Sequence, residues 1–130
     1  MVKVLITGAA GYLGSTLTEV LLDKGYSVDA LDNLMYEQTS LLHLCSNKNF
    51  RFINTDVTNF KFLKSIVSAY DVVIPLAAIV GGPACDKNKE LATKVNFEQI
   101  KCIVDNINPN QKLIMPNTNS QYGSSSEVIT

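Results

Sequence analysis

The chain enters its first apolar run at Lys3-Val4-Leu5-Ile6 and leaves it through Thr7-Gly8-Ala9-Ala10-Gly11-Tyr12-Leu13-Gly14, after which apolar residues recur at helical spacing. A strand that passes through three glycines straight into a helix admits few folds. Glycine lets the backbone turn sharply, approach a ligand closely and pack the helix tightly on the strand. The first N–H groups of such a helix lack intrahelical acceptors and lie at the positive end of its dipole, which suits the turn to phosphate oxygens. Glycines also mark ordinary turns. The flanking strand and helix, and the acidic Asp32 closing the next strand, set this turn apart.

Strand-like and helix-like segments then alternate, the pattern of βαβ units in a parallel sheet covered on both faces. Strands are expected at residues 4–6, 28–31, 50–53, 71–77 and 112–115. Pro75 cannot donate to a ladder and belongs where pairing ends. Leu13, Leu17, Val20 and Leu21 recur at helical spacing ahead of a Lys24-Gly25 stop. A short apolar helix is expected near 41–45. Another follows a cap at Thr58 or Asn59 and carries Phe62, Leu63, Ile66 and Val67 on one side. The longest spans 86–107, with Asp86 as its cap and Leu91, Val95, Ile100, Ile103 and Val104 apolar; Asn108-Pro109-Asn110 terminates it. The expected fold is α/β, a Rossmann-type doubly wound parallel sheet of about five strands in the order 3-2-1-4-5, within three αβα layers. Residues 1–130 form one domain with one core.

A net charge of −1 gives no electrostatic footprint for nucleic acid or an anionic membrane. The chain opens without the pattern of a secretory signal, and no apolar run is long enough to span a bilayer, so the reading is cytoplasmic. Cys45, Cys85 and Cys102 are odd in number and widely spaced, and read as small buried hydrophobes rather than a disulfide or zinc framework. The single His43 reads as a partly buried helix residue, and no metal is expected.

In a doubly wound sheet, ligands bind outside the carboxyl ends of the strands. The first end supplies Gly8, Gly11 and Gly14, with Ala10, Tyr12 and Leu13 among them. The second supplies Asp32-Asn33; the Asp32 carboxylate suits the ribose hydroxyls of NAD and would repel the 2′-phosphate of NADP. The third supplies Asp56-Val57 for the adenine, and the fourth Leu76-Ala77-Ala78, small enough for a dinucleotide to lie against. The fifth supplies Asn117-Thr118-Asn119-Ser120-Gln121-Tyr122-Gly123, which gathers hydroxyls and amides. Thr93 and Asn96 fit either the cofactor or a solvated helix face.

Together these stretches resemble the extended short-chain dehydrogenases, specifically the NAD-dependent nucleotide-sugar epimerases and dehydratases. The resemblance covers the chain but only the amino-terminal portion of a family member. Thr7-Gly8-x-x-Gly11-x-x-Gly14 is similar to the family's cofactor fingerprint, Asp32-Asn33-Leu34 to its ribose motif, and Asp56-Val57 to its adenine contact. Leu76-Ala77-Ala78 is similar to its strand-four signature and Val95-Asn96 to a recurrent helical pair. The resemblance implies NAD as cofactor, a nucleotide-sugar substrate, Thr118 at the catalytic Ser/Thr position, and Val80, Gly81, Asn119 and Ser120 near the sugar. It implies C4 oxidation followed by 4-epimerisation or 4,6-dehydration, with a Tyr-x-x-x-Lys pair moving the proton. This chain departs there: its five tyrosines are followed four residues later by Thr16, Ala30, Ser40, Ile74 and Ser126. The expectation is therefore a truncated, incomplete domain, inactive alone and homo-oligomeric. Two other readings stay open: a non-catalytic NAD-binding interaction module, and a reductase acting on a non-sugar carbonyl.

Overall fold

In the computed structural model, which describes residues 1–118, five strands form one parallel sheet. They are β1 (Lys3–Thr7), β2 (Ser27–Asp32), β3 (Phe50–Asn54), β4 (Val72–Pro75) and β5 (Lys112–Leu113), in the order β3-β2-β1-β4-β5. The chain winds outward through β2 and β3, then returns to place β4 on the other side of β1. The strand order thus reverses between β1 and β4, and a crevice opens beyond their carboxyl ends.

Four consecutive β1 residues, Val4 to Thr7, are buried because both faces of the sheet are covered. Val4 and Ile6 pack with Val28, Ala30 and Leu22 on one face. Leu5 packs with Leu31, Val73, Leu63, Val67 and Ile103 on the other. The helices α1 (Tyr12–Asp23) on the first face, and α2 (Phe60–Ile66) with α5 (Gln99–Asn106) on the second, complete three layers.

The buried stripe of α1 is Gly14, Thr18 and Leu22, while Leu13 and Val20 of the expected apolar face are exposed. The cause is close packing. A Cβ on Gly14 would stand 2.5 Å from the Gly8 carbonyl oxygen and 2.7 Å from Ala9 Cα. Thr18 fits by turning its hydroxyl onto the Gly14 carbonyl at 2.7 Å. Small residues face the sheet at the start of the helix and Leu22 at its end, while Leu17 and Leu21 pack partly buried beside them. Gly25, at φ 85°, ends the helix as expected, the Gly25 and Tyr26 N–H groups returning to Leu22 and Leu21. Of the two expected caps of α2, Asn59 is the one used, its Oδ1 accepting from the Phe62 N–H at 3.2 Å.

The single long helix expected over 86–107 is broken into pieces. These are α3 (Gly82–Lys87), α4 (Lys89–Thr93), a π-helical turn over Lys94–Glu98, and α5. Asn88 leaves the helical region at φ −146°, and its side chain accepts the Leu91 N–H at 3.0 Å to cap α4. Short amides compete with the helix in this way, and the periodicity of the apolar residues cannot register it. Asp86 therefore lies inside α3, which starts after Gly81 with Pro83 in its first turn.

Pro75 is the last residue of β4, opposite Thr7, and β4 is shorter than expected at both ends. β5 is also shorter, though the Ile114 N–H still reaches the Val73 carbonyl at 3.0 Å. His43 lies exposed in a 3₁₀ turn, 3.4 Å from Glu19, not partly buried in a helix. Cys45 is exposed and Cys85 and Cys102 are half-buried, so none is the fully buried hydrophobe expected. Among the described residues no acidic, histidine or cysteine cluster could hold a metal, and no helix is long and apolar enough to cross a membrane.

Gly14→Ala is expected to destabilise the domain by about 1–3 kcal/mol, the usual cost of overpacking against backbone that cannot yield. Gly25→Ala, with open space around its Cβ, is expected to lose only the roughly 1–2 kcal/mol of left-handed strain. Urea unfolding of both variants checks the order.

Candidate functional site

The carboxyl ends of β1, β2, β3 and β4 converge on a cleft of ≈ 370 Å³. Gly8, Ala10, Gly11 and Tyr12 line it from the glycine turn, Asp32 and Asn33 from the end of β2, and Asp56 and Val57 from the end of β3. Leu76, Ala77 and Ala78 form the wall beyond β4.

Gly8 holds a left-handed φ of 68°, and a Cβ there would stand 2.5 Å from the Ala77 nitrogen. The turn after β1 and the turn after β4 are thus in backbone contact. Gly11 begins α1 with no side-chain cap and no acidic residue in the first turn, so no side chain competes for the helix's opening N–H groups.

Asp32 is only 8% exposed. Its Oδ2 accepts the Ala10 N–H at 3.0 Å and its Oδ1 the Leu34 N–H at 2.8 Å. Each carboxylate oxygen has a second lone pair, so these bonds leave acceptor capacity toward the cleft. The Ala10 carbonyl accepts from the Ser40 hydroxyl at 2.8 Å, so the glycine turn is gripped on both sides of one residue. The strap that brings Ser40 there turns at Leu34 and Glu37, each at φ 54°, and adds Met35, Tyr36 and Gln38 to the lining.

Asn33 donates to Asp56 Oδ2 at 2.7 Å and joins the ends of β2 and β3. Burial alone would raise the Asp56 carboxyl. The Thr58 hydroxyl and N–H on Oδ1, with Asn33 on Oδ2, outweigh it and hold the group below the ordinary carboxyl value of 3.8.

Asn96 clamps the segment beyond Ala78, its Oδ1 accepting the Ile79 N–H at 2.8 Å and its Nδ2 donating to the Ile79 carbonyl at 2.9 Å. The other sequence-nominated residues lie outside the cleft lining. Leu13 and Gly14 follow Tyr12 in the first turn of α1 but do not line the cleft, and the exposed Thr93 returns its hydroxyl to the Lys89 carbonyl at 2.9 Å. Val80 and Gly81 are exposed ahead of α3. Thr118 is exposed, its N–H on Asn117 Oδ1 at 3.0 Å, while Asn119 and Ser120 lie outside the described residues. Sequence reasoning missed Ser40 and the strap, which carry no periodicity.

The sequence model of the NAD dependent epimerase/dehydratase family matches residues 4–130. The chain belongs to this family. It is 33% identical over 132 residues to a UDP-glucuronate 4-epimerase of Thermodesulfobacterium geofontis, covering 94% of this chain and 41% of that one. It is 32% identical over 123 residues to a UDP-N-acetyl-alpha-D-glucosaminuronate decarboxylase of Bacillus cytotoxicus, covering 93% and 38%. Thus the chain spans about two fifths of the length of these curated relatives. The solved UDP-glucuronic acid 4-epimerase of Bacillus cereus, in complex with UDP-glucuronic acid and NAD, superposes with a TM-score of 0.83 at 28% identity. That match covers 98% of this chain and 44% of the solved one. The family's doubly wound fold and its dependence on NAD agree with the expectation from the strand ends.

Because the native Asp56 carboxyl titrates below its unfolded value, its stabilising contribution is complete above about pH 5 and is lost as pH falls through the native pKa. Asp56→Asn is therefore expected to be less stable than wild type at neutral pH, with the gap closing in acid. Urea melts at a series of pH values check this.

Proposed function

We propose that the cleft binds NAD and that the chain is the cofactor-binding portion of a nucleotide-sugar epimerase or dehydratase. The observation carrying this reading is the buried Asp32 carboxylate, one hydrogen bond from a glycine turn that opens an uncapped helix. The residues fit the group. Gly8, Ala10 and Gly11, with the first N–H groups of α1, face the pyrophosphate. Asp32 receives the ribose hydroxyls, Asp56 and Val57 border the adenine, and Ala77 and Ala78 leave room for the nicotinamide half. Leu13, Gly14 and Thr93 complete the proposed contact set from behind the turn and from α4. NAD supplies the hydride acceptor for oxidation of a sugar carbon.

Both curated relatives are named for UDP-linked sugars, which supports a nucleoside diphosphate hexose as substrate class. One of them is named a 4-epimerase, which supports 4-epimerisation, and the family's description keeps 4,6-dehydration as the other activity of the reading. Val80, Gly81, Thr118, Asn119 and Ser120 are the proposed sugar-side residues. No tyrosine of these 130 residues has a lysine four positions later, so proton transfer is not assigned to them. A cytoplasmic homo-oligomer is part of the same reading. Ile114 and Met115, which follow the edge strand β5 at 52% and 54% exposure, leave apolar surface that favours self-association.

Calorimetric titration is expected to show NAD binding and a preference over NADP. Asp32→Ala should weaken NAD roughly 10- to 100-fold, the scale of a lost hydrogen bond to a charged group. Absence of heat with the wild-type chain, or unchanged affinity in the variant, overturns the assignment. Light scattering is expected to give at least a dimer; a clean monomer removes the oligomer from the reading.

A further inference from the structure

We propose that Gln99 is a positioning residue for the cleft, its amide fixing the separation of the β1 and β4 ends. The inference rests on the NAD reading. Gln99 and Thr7 are both fully buried. Gln99 Oε1 accepts from the Thr7 hydroxyl at 2.7 Å, and Nε2 donates to the Ala77 carbonyl at 2.8 Å and the Val95 carbonyl at 2.6 Å. Both donor hydrogens and the acceptor oxygen are in use. The Thr7 hydroxyl in turn lies 3.4 Å from the Ala77 nitrogen as its acceptor.

The placement of these partners gives the network its consequence. Thr7 immediately precedes Gly8, and Ala77 is the wall residue whose nitrogen confronts Gly8 at a distance that leaves no room for a Cβ. One side chain therefore bridges both walls of the crevice where the strand order reverses. Moving Ala77 against Thr7 shifts the wall against the glycine turn, and the dinucleotide must fit between them.

The backbone is bent to deliver this amide. In an α-helix the Gln99 N–H would bond the Val95 carbonyl; here it reaches Lys94, five residues back, and the Gln99 side chain takes the Val95 carbonyl instead. The π-helical turn presents Asn96 and Gln99 together to the segment after β4, one holding Ile79 and the other Ala77. A leucine would fill a similar volume. It would leave the Thr7 hydroxyl and two carbonyls without this partner, so bulk alone does not account for a glutamine here.

The test uses Gln99→Leu and Gln99→Glu in the whole chain, with two readouts. The first is amide hydrogen exchange without ligand: the Ala77 amide, bonded to the Thr7 hydroxyl that Gln99 holds, should exchange at least about tenfold faster in Gln99→Leu while β2 amides keep their protection. The second is NAD affinity by calorimetry where circular dichroism shows the fold retained: about tenfold weaker in Gln99→Leu. The groups bonded to the Gln99 amide, from β1, the turn after β4 and its own helix, are Thr7, Ala77 and Val95, none of which ionises. In Gln99→Glu the introduced carboxyl faces two carbonyl oxygens and can donate only when protonated. Its NAD affinity should therefore recover toward wild type as pH falls from about 8 to 5.5. If Gln99→Leu does not fold, the Gln99→Glu pH profile decides. Variants that bind NAD as wild type does, or a uniform rise in exchange over the whole sheet, overturn this inference alone. Failure of the wild-type chain to bind NAD overturns the NAD reading and takes this inference with it.

Discussion

A Cβ at Gly8 would lie 2.5 Å from the Ala77 nitrogen, and one at Gly14 would lie 2.5 Å from the Gly8 carbonyl oxygen, so β1, the β4 turn and α1 meet at distances only bare backbone permits. Everything at the working edge follows from that contact. Because α1 sits so close to the sheet, its first N–H groups open onto the crevice rather than beside it. Because the β4 turn sits so close to β1, Ala77 and Ala78 become a wall of that crevice. Side chains as small as methyl groups would separate these elements.

Around this contact the site is tied together by its own polar groups. Asp32 and Ser40 hold the two sides of Ala10, Asn33 links β2 to Asp56, and Asn96 and Gln99 secure the segment after β4. Among the described residues no buried side-chain nitrogen or oxygen lacks a partner. A cleft held in this way loses little freedom on binding, which is the benefit of preorganisation. Asp32 has a double duty in this scheme, since the carboxylate proposed to receive a ligand also shapes the turn proposed to receive that ligand's phosphates.

The layered sheet was legible because its signals are local. Continuous apolar runs in the strands, Gly25 after α1 and Pro75 at the end of pairing all act through short-range sterics. Gly8, Asp32, Asp56 and Ala77 were legible because strand ends in this fold must converge. Contacts made at a distance were hidden. The face of α1 was misjudged since Gly14 and Thr18, not Leu13 and Val20, meet the sheet. The break at Asn88 was missed because apolar spacing continues across it. Ser40 and Gln99 looked like ordinary polar residues in one dimension, and only tertiary placement sets them against Ala10, Thr7 and Ala77.

The pairing of β1 with β4 also governs when the crevice can exist. The Lys3 N–H bonds Asp71 across a separation of 68 residues, while β2 and β3 supply neighbours for β1 much earlier in the chain. Closing a loop of that length carries an entropic penalty before any native contact rewards it. During synthesis the β1-β2-β3 half can assemble as soon as it emerges, yet it has only one wall of the crevice. The second wall depends on β4, and a nascent chain halted before β4 would present the glycine turn with nothing opposite it.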